Sequence, residues 1–178
     1  MKKVLFVMLL AITGCLSVMA GDDIKLTEGS VKPLKNGGIG CVTLDMTDTQ
    51  FDNRRPLRQD ERFTDIDSQL PECKSEFIRE FNENAKKFRL TSNENEAEYE
   101  FIVKITNFDI FVQLMSFKGG VGVKFWGTIT IKNKKTSENV AVFRIDEERN
   151  SGMTYNLAVE EGFEGIAKFL AEKINKGK

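Results

Sequence analysis

Between Tyr99 and Val112 apolar side chains fall at every second position: Tyr99, Phe101, Val103 and Ile105 alternate with Glu100, Lys104 and Thr106. A period of two puts one row of side chains on each side of a strand, so this segment commits the chain to a sheet with one buried and one wetter face. The preceding segment has a different period. After Pro71, the residues Cys73, Phe77, Phe81, Ala85 and Phe88 recur every three or four positions, which predicts a helix from Pro71 through Leu90 with an aromatic stripe on one side. Glu76, Arg79, Glu80, Glu83 and Lys87 give its other side to water. Ahead of that helix, Val42, Leu44 and Met46 share one face of a strand over residues 39–46. A strand, a helix and a second strand in one sheet form a right-handed crossover, so these two strands are expected to run parallel.

Val121–Lys132 and Val140–Ile145 read as two more strands joined through Asn133–Asn139, a connection short enough to make them an antiparallel hairpin. Val159, Phe163, Ile166, Leu170 and Ile174 define a second amphipathic helix, with Lys173, Lys176 and Lys178 suited to its carboxyl end. Two helices and a sheet, each with one apolar side, satisfy one another as two layers. The expected fold is therefore α+β: a two-layer sandwich with a mixed four-stranded sheet in the order β-α-β-β-β-α and both helices on one face. Residues 39–178 are read as this single domain, and residues 21–38 as an amino-terminal arm in which Ile24 and Leu26 alternate with polar neighbours. Residues 47–72 form a long polar insertion carrying Arg54, Arg55, Arg58, Asp60, Arg62, Asp65 and Asp67. Connections of that length are functional or conceal structure, and the alternatives are a site of specific contact or a solvated loop pinned by Phe51, Leu57, Phe63 and Ile66.

The residues that are missing exclude more chemistry than those present suggest. There is no histidine among the 178 residues, which closes nucleophile activation by imidazole and histidine-based zinc sites. With 26 basic against 27 acidic residues and no basic stripe, the chain has no footprint for nucleic acid. Gly37-Gly38-Ile39-Gly40 and Gly119-Gly120-Val121-Gly122 each lead into a strand, whereas a phosphate-binding glycine turn leads into a helix. Asp65 and Asp67 lack the glycine and terminal glutamate of a calcium loop, and Asp146-Glu147-Glu148 reads as solvated charge. No cofactor or metal is expected. Two carboxylates at a suitable separation can still hydrolyse a glycosidic bond without histidine, so a carboxylate-based hydrolase stays open as an alternative.

The amino terminus reads as an export signal. Lys2 and Lys3 precede the uncharged apolar run Val4–Ile12, and Ser17-Val18-Met19-Ala20 offers small residues before a break at Gly21, so residues 1–20 are expected to be removed. That cut takes Lys2 and Lys3 from the 26 basic residues and leaves 24 against 27 acidic ones. The run is too short to cross a bilayer, and no transmembrane segment is expected in the mature chain. Ile12-Thr13-Gly14-Cys15 has the order of a lipoprotein box, which would instead lipidate Cys15 and anchor the protein. If Cys15 is instead lost with the leader, Cys41 and Cys73 remain as an even pair in a route where disulfides persist. Bridging them would close a 31-residue segment, worth about 3 kcal/mol by chain entropy. As free thiols they would serve as small buried hydrophobes.

Trp126, the single tryptophan, shares a strand face with Lys124 and Thr128, opposite Val123, Phe125, Ile129 and Ile131. That puts it on the side away from the helices, as a contact residue or under the amino-terminal arm. Leu114, Met115 and Phe117 precede Gly119-Gly120 and form a second candidate contact, or a fold-back onto the core.

The export signal ending Val18-Met19-Ala20-Gly21-Asp22, the start Ile24-Lys25-Leu26-Thr27-Glu28-Gly29, the strand with Ile105-Thr106-Asn107-Phe108-Asp109, and the Gly127–Ile131 strand together resemble a group of small exported envelope proteins of Gram-negative bacteria. More broadly the chain is similar to helix-covered-sheet periplasmic lipoprotein domains and to the amino-terminal domain of the Tol-Pal translocation protein. Asn107 departs from the acidic residue expected there. The resemblance implies a helix-covered mixed sheet, location in the periplasm or at the outer membrane, and no catalytic residues. The expected function is a non-enzymatic binding or assembly module whose partner is a protein or another envelope component.

Overall fold

The computed structural model describes residues 24–113 and 120–177. Its strands are β1 (Ile24–Gly29), β2 (Gly38–Asp45), β3 (Gln50–Phe51), β4 (Arg55–Pro56), β5 (Phe88–Leu90), β6 (Tyr99–Gln113), β7 (Gly120–Asn133) and β8 (Asn139–Gly152). Among the described residues two α-helices accompany them: α1 (Ile66–Asn84) lies between β4 and β5, and α2 (Tyr155–Lys176) follows β8. The strands form one open mixed sheet in the order β1-β8-β7-β6-β2-β5, with β3 beside β6 and β4 beside β3. The sheet thus has eight strands, not the expected four. Three of them, β3, β4 and β5, have three residues or fewer, too few to carry a recognisable alternation, and β1 is the segment read as the arm.

The expected parallel pairing holds: Gly40–Asp45 of β2 run alongside Tyr99–Lys104 of β6. β6, β7 and β8 make the antiparallel meander. The amino-terminal segment does not lie over the sheet; β1 pairs with β8 and extends one edge.

Both helices cover the same face. Phe81 of α1 meets Phe101 of β6 with ring centroids 5.8 Å apart, and Phe163 of α2 meets Phe125 of β7 at 5.3 Å. Phe101 stands opposite Ile131, which shares strand parity with Phe125, so the two contacts lie on one side. Gly162 makes the second contact possible at this spacing, since a Cβ there would sit 2.5 Å from the Phe125 ring. Burying each aromatic side chain is worth about 2–3 kcal/mol.

α1 starts five residues ahead of the expected Pro71 and stops before Phe88. Pro71 therefore lies inside the helix, and the missing N–H removes one bond from its second turn. Phe88 is buried as predicted, but from β5, because Phe88–Leu90 pair in parallel with Gly38–Gly40. At the helix end Asn175 of α2 supplies the cap: its side chain accepts from the Lys86 N–H and donates to the Asn84 carbonyl, each at 2.9 Å.

The insertion is structured. Gln50 and Phe51 pair with Asn107 and Phe108, so β3 continues along the side of β6 that β2 leaves. Phe51, Leu57, Phe63 and Ile66 are all buried. These are the four residues named for the pinned loop, but the segment they pin carries β3 and β4 and is not a solvated loop. Asn107 is buried and its Oδ1 accepts from the Asn53 backbone N–H at 2.9 Å, where Asn53 has φ of 53°. A neutral amide thus holds the turn that joins β3 to β4.

Cys41 and Cys73 are both free thiols, which corrects the bridge. Cys41 alternates with the core residue Val42 and so faces away from the helices, its Sγ donating to the Tyr99 carbonyl at 3.6 Å. Cys73 packs into the core from α1. The sheet separates them. Burial pushes the Cys41 thiol up from its ordinary value and that of Cys73 to about 12.

Candidate functional site

The face turned away from the helices is assembled by register. One row across it runs Asp45, Lys104, Thr128, Arg144, Lys25, and the next runs Thr43, Ile102, Thr130, Val142. Trp126 lies between Asn107 of β6 and Asp146 of β8 and is half-buried.

Both neighbours of Trp126 carry an irregularity. β6 shifts register between Ile105 and Asn107, and β8 shifts opposite Phe125 and Trp126 with Glu147 at φ of 67°. Bulges on both sides increase the local twist and re-aim the side chain between them. At the β6 bulge Thr106 Oγ1 donates to the Trp126 carbonyl at 3.2 Å. Gly127 is required here, because a Cβ would sit 2.1 Å from the Lys104 carbonyl oxygen.

Charges around Trp126 are paired. Arg144 donates to Asp146 at 2.6 and 2.9 Å, and Lys25 lies 3.9 Å from the same carboxylate. Glu147 is held by Lys124 at 3.1 Å and by Arg149, and these two cations keep its carboxyl below the usual range. Around the half-buried indole this face carries threonines and paired charges. Leu114, Met115 and Phe117, the second predicted contact, lie outside the described residues, as does Cys15.

The insertion contributes an arrangement that single-sequence reading missed. Asp60 is 3% exposed and receives Arg62 Nε at 2.7 Å, Arg62 NH2 at 2.7 Å and Arg55 NH2 at 2.5 Å. The Arg62 guanidinium also lies 5.0 Å from the Phe51 ring centroid and 5.7 Å from that of Tyr155. Hydrogen bonds from Arg62 bring the Asp60 carboxyl down to about 2. The alternation of arginine with aspartate along residues 54–67 was the available signal.

Hydrolysis by carboxylates needs one acid raised toward neutrality beside a cavity. Asp60 lines a hollow of about 380 Å³ but is lowered. Asp67, in a hollow of about 440 Å³, is lowered by Arg58. The carboxyls that burial raises, Glu160 and Glu164, lie on α2, with Glu76 of α1 within 4.8 Å of both, and line neither hollow. Acid and cavity do not coincide in these places.

The class that this architecture defines is an open mixed sheet covered on one face by two helices. No family model matches the chain, and no curated protein matches it. Solved structures similar to it include the PelC dodecamer from Paraburkholderia phytofirmans, with 10% identity, TM-score 0.39, and coverage of 86% of this chain and 93% of that one. A neuraminyllactose-binding hemagglutinin homolog from Helicobacter pylori aligns at 7% identity and TM-score 0.42 over 78% of this chain and 83% of the other. A minor lipoprotein from Acinetobacter baumannii aligns at 15% identity and TM-score 0.30 over 78% and 91%. At this level of likeness no argument about function passes from these proteins to this chain.

Proposed function

We propose that this chain is a non-enzymatic, exported envelope module, in the periplasm or associated with the outer membrane, that binds a protein or other envelope component through the helix-free face of its sheet. Residues 1–20 act as the export leader and residues 39–178 as the working domain, with the arm adding β1 at the sheet edge. The observation that carries this reading is Trp126, a half-buried indole on the face away from the helices, aimed by a bulge on either side. Indoles in such positions supply a large share of contact energy.

A photo-crosslinking residue at position 126 in the full chain, expressed in a Gram-negative host, tests it. Adducts should form at 126 and not at Lys168, on α2. Adducts at neither position, or equally at both, would sink the reading. The order Ile12-Thr13-Gly14-Cys15 supports a second form of the same function, in which acylated Cys15 anchors the module. Intact mass spectrometry separates the two: acyl mass on Cys15, or a chain beginning at Gly21.

A further inference from the structure

β2 has partners on one side along Gly40–Asp45, from β6. On its other side β5 covers only Gly38–Gly40, where the Gly40 carbonyl accepts from Thr91 N–H at 2.8 Å. The far end of that side is closed by Arg58, whose NH1 donates to the Met46 and Thr47 carbonyls at 2.7 and 2.6 Å. In a parallel ladder the N–H and C=O of alternate residues face the same way. Counting in twos from Gly40, the Leu44 amide and carbonyl face this side, in the gap between β5 and Arg58, and among the described residues no strand pairs with them there.

A hollow of about 440 Å³ lies at that gap. Thr43 and Leu44 form one wall, and the first turns of α1, with Asp67, Leu70, Pro71 and Lys74, form the other. Leu44, Leu70 and Pro71 give it an apolar floor. Each end carries a charge pair: Arg58 with Asp67 at 2.5 Å, and Lys74 with Glu94 at 3.6 Å. Asp67, Lys74 and Glu94 line the hollow, each carboxylate already paired with a cation.

We infer that this gap takes a short extended segment of another polypeptide, added to the edge of β2 with an aliphatic side chain on the Leu44, Leu70 and Pro71 floor. An open strand edge beside a helix offers the hydrogen bonds that an extended chain needs, and the adjoining pocket selects a side chain. Helical or globular surfaces cannot reach backbone groups set between β5 and Arg58. The inference goes beyond the binding-module reading and uses a different surface, so loss of crosslinking at Trp126 leaves it standing and its own failure leaves that reading intact.

The test uses the full chain, labelled for NMR, and a capped pentapeptide of sequence Lys-Val-Leu-Val-Lys as probe. Saturable shifts at Thr43, Leu44, Leu70 and Lys74, with slowed exchange of the Leu44 amide, are expected. The same peptide N-methylated at its central residues should bind about tenfold more weakly, the effect of losing one to two backbone hydrogen bonds. Leu70→Lys should abolish the shifts, and the N-methylated control stands if that variant fails to fold. Equal binding of both peptides, no saturation, or shifts confined to other surfaces would overturn the proposal. Protection of Leu44 that grows with protein concentration and needs no peptide would also overturn it, by assigning the edge to a second copy.

Discussion

Phe125 and Trp126 are consecutive residues of β7, yet they belong to different environments. Phe125 is fully buried among Phe108, Phe163 and Gly162, whereas Trp126 is only half-buried, among threonines and ion pairs. The same contrast governs charge. Toward the helices the structure admits Asp60 only with two guanidiniums on it, one of them stacked on aromatic rings; on the open face Asp146 and its partners sit at the rim. One strand thus divides the molecule into a side that holds the fold together and a side whose residues the fold can spare. Residues that stability does not require can be given over to recognition.

The largest expected effect tests that division directly. Phe125→Ala should cost about 3–5 kcal/mol, through lost transfer energy and the cavity it leaves. Trp126→Ala should cost no more than about 1 kcal/mol while removing the crosslink site. Urea unfolding of both variants checks the pair, and similar costs would erase the distinction between the faces. Next in size is Asp60→Asn, which leaves Arg55 and Arg62 without their shared anion. A loss of about 2 kcal/mol is expected, below the range for enclosed pairs because both arginines reach solvent. The carboxyl is about 2 in the folded chain against 3.8 for the unfolded one, so its contribution is present above pH 3.8 and is lost as pH falls toward 2. In an acid titration followed by circular dichroism, the variant should therefore show a shallower loss of stability over that window.

How far the sequence exposes this architecture depends on how many residues carry a period. The fifteen residues of β6 and the 22 of α2 repeat their pattern often enough to be read, and so do the parallel pairing of β2 with β6 and the outward aim of Trp126. Gln50–Phe51 and Arg55–Pro56 contain too few residues for any period, and Phe88 satisfies a helical repeat while lying in a strand. Its spacing from Ala85 was accidental. The bulges beside Trp126 are invisible because only pairing reveals a register shift, and Glu147 belongs to a residue type that gives no hint of positive φ.

The outer surface of the helix layer offers a third environment. Glu160 is raised by burial and then by Glu72, Glu76 and Glu161, with Arg79 opposing. Arg79 is shared among Glu76, Glu80, Glu83 and Glu164, so the cluster is short of cations. A carboxyl raised on folding contributes stability below its unfolded value of 4.5 and loses it as pH rises through the folded value. The slope is therefore opposite to that of Asp60. Glu160→Gln should stabilise the protein at pH 7 by up to about 1 kcal/mol and make no difference at pH 4. Thermal melts at the two pH values check it.

The smallest effect belongs to the open face, and it is the most exacting for the comparison. Arg144 and Asp146 are 58% and 36% exposed in their side chains and pair at 2.6 Å. Water already solvates both groups, so the pair gains little over its separated members, and Asp146→Asn should change stability by less than about 0.5 kcal/mol. The residual effect should vanish in molar salt, where screening acts within about 3 Å. A cost above 1 kcal/mol that survives salt would mean that the pair is desolvated, and hence that something covers this face in the isolated chain. The surface around Trp126 would then be part of the folding energy, with nothing left free for a partner. A null result in urea and salt together is thus what the binding face requires of its own charges.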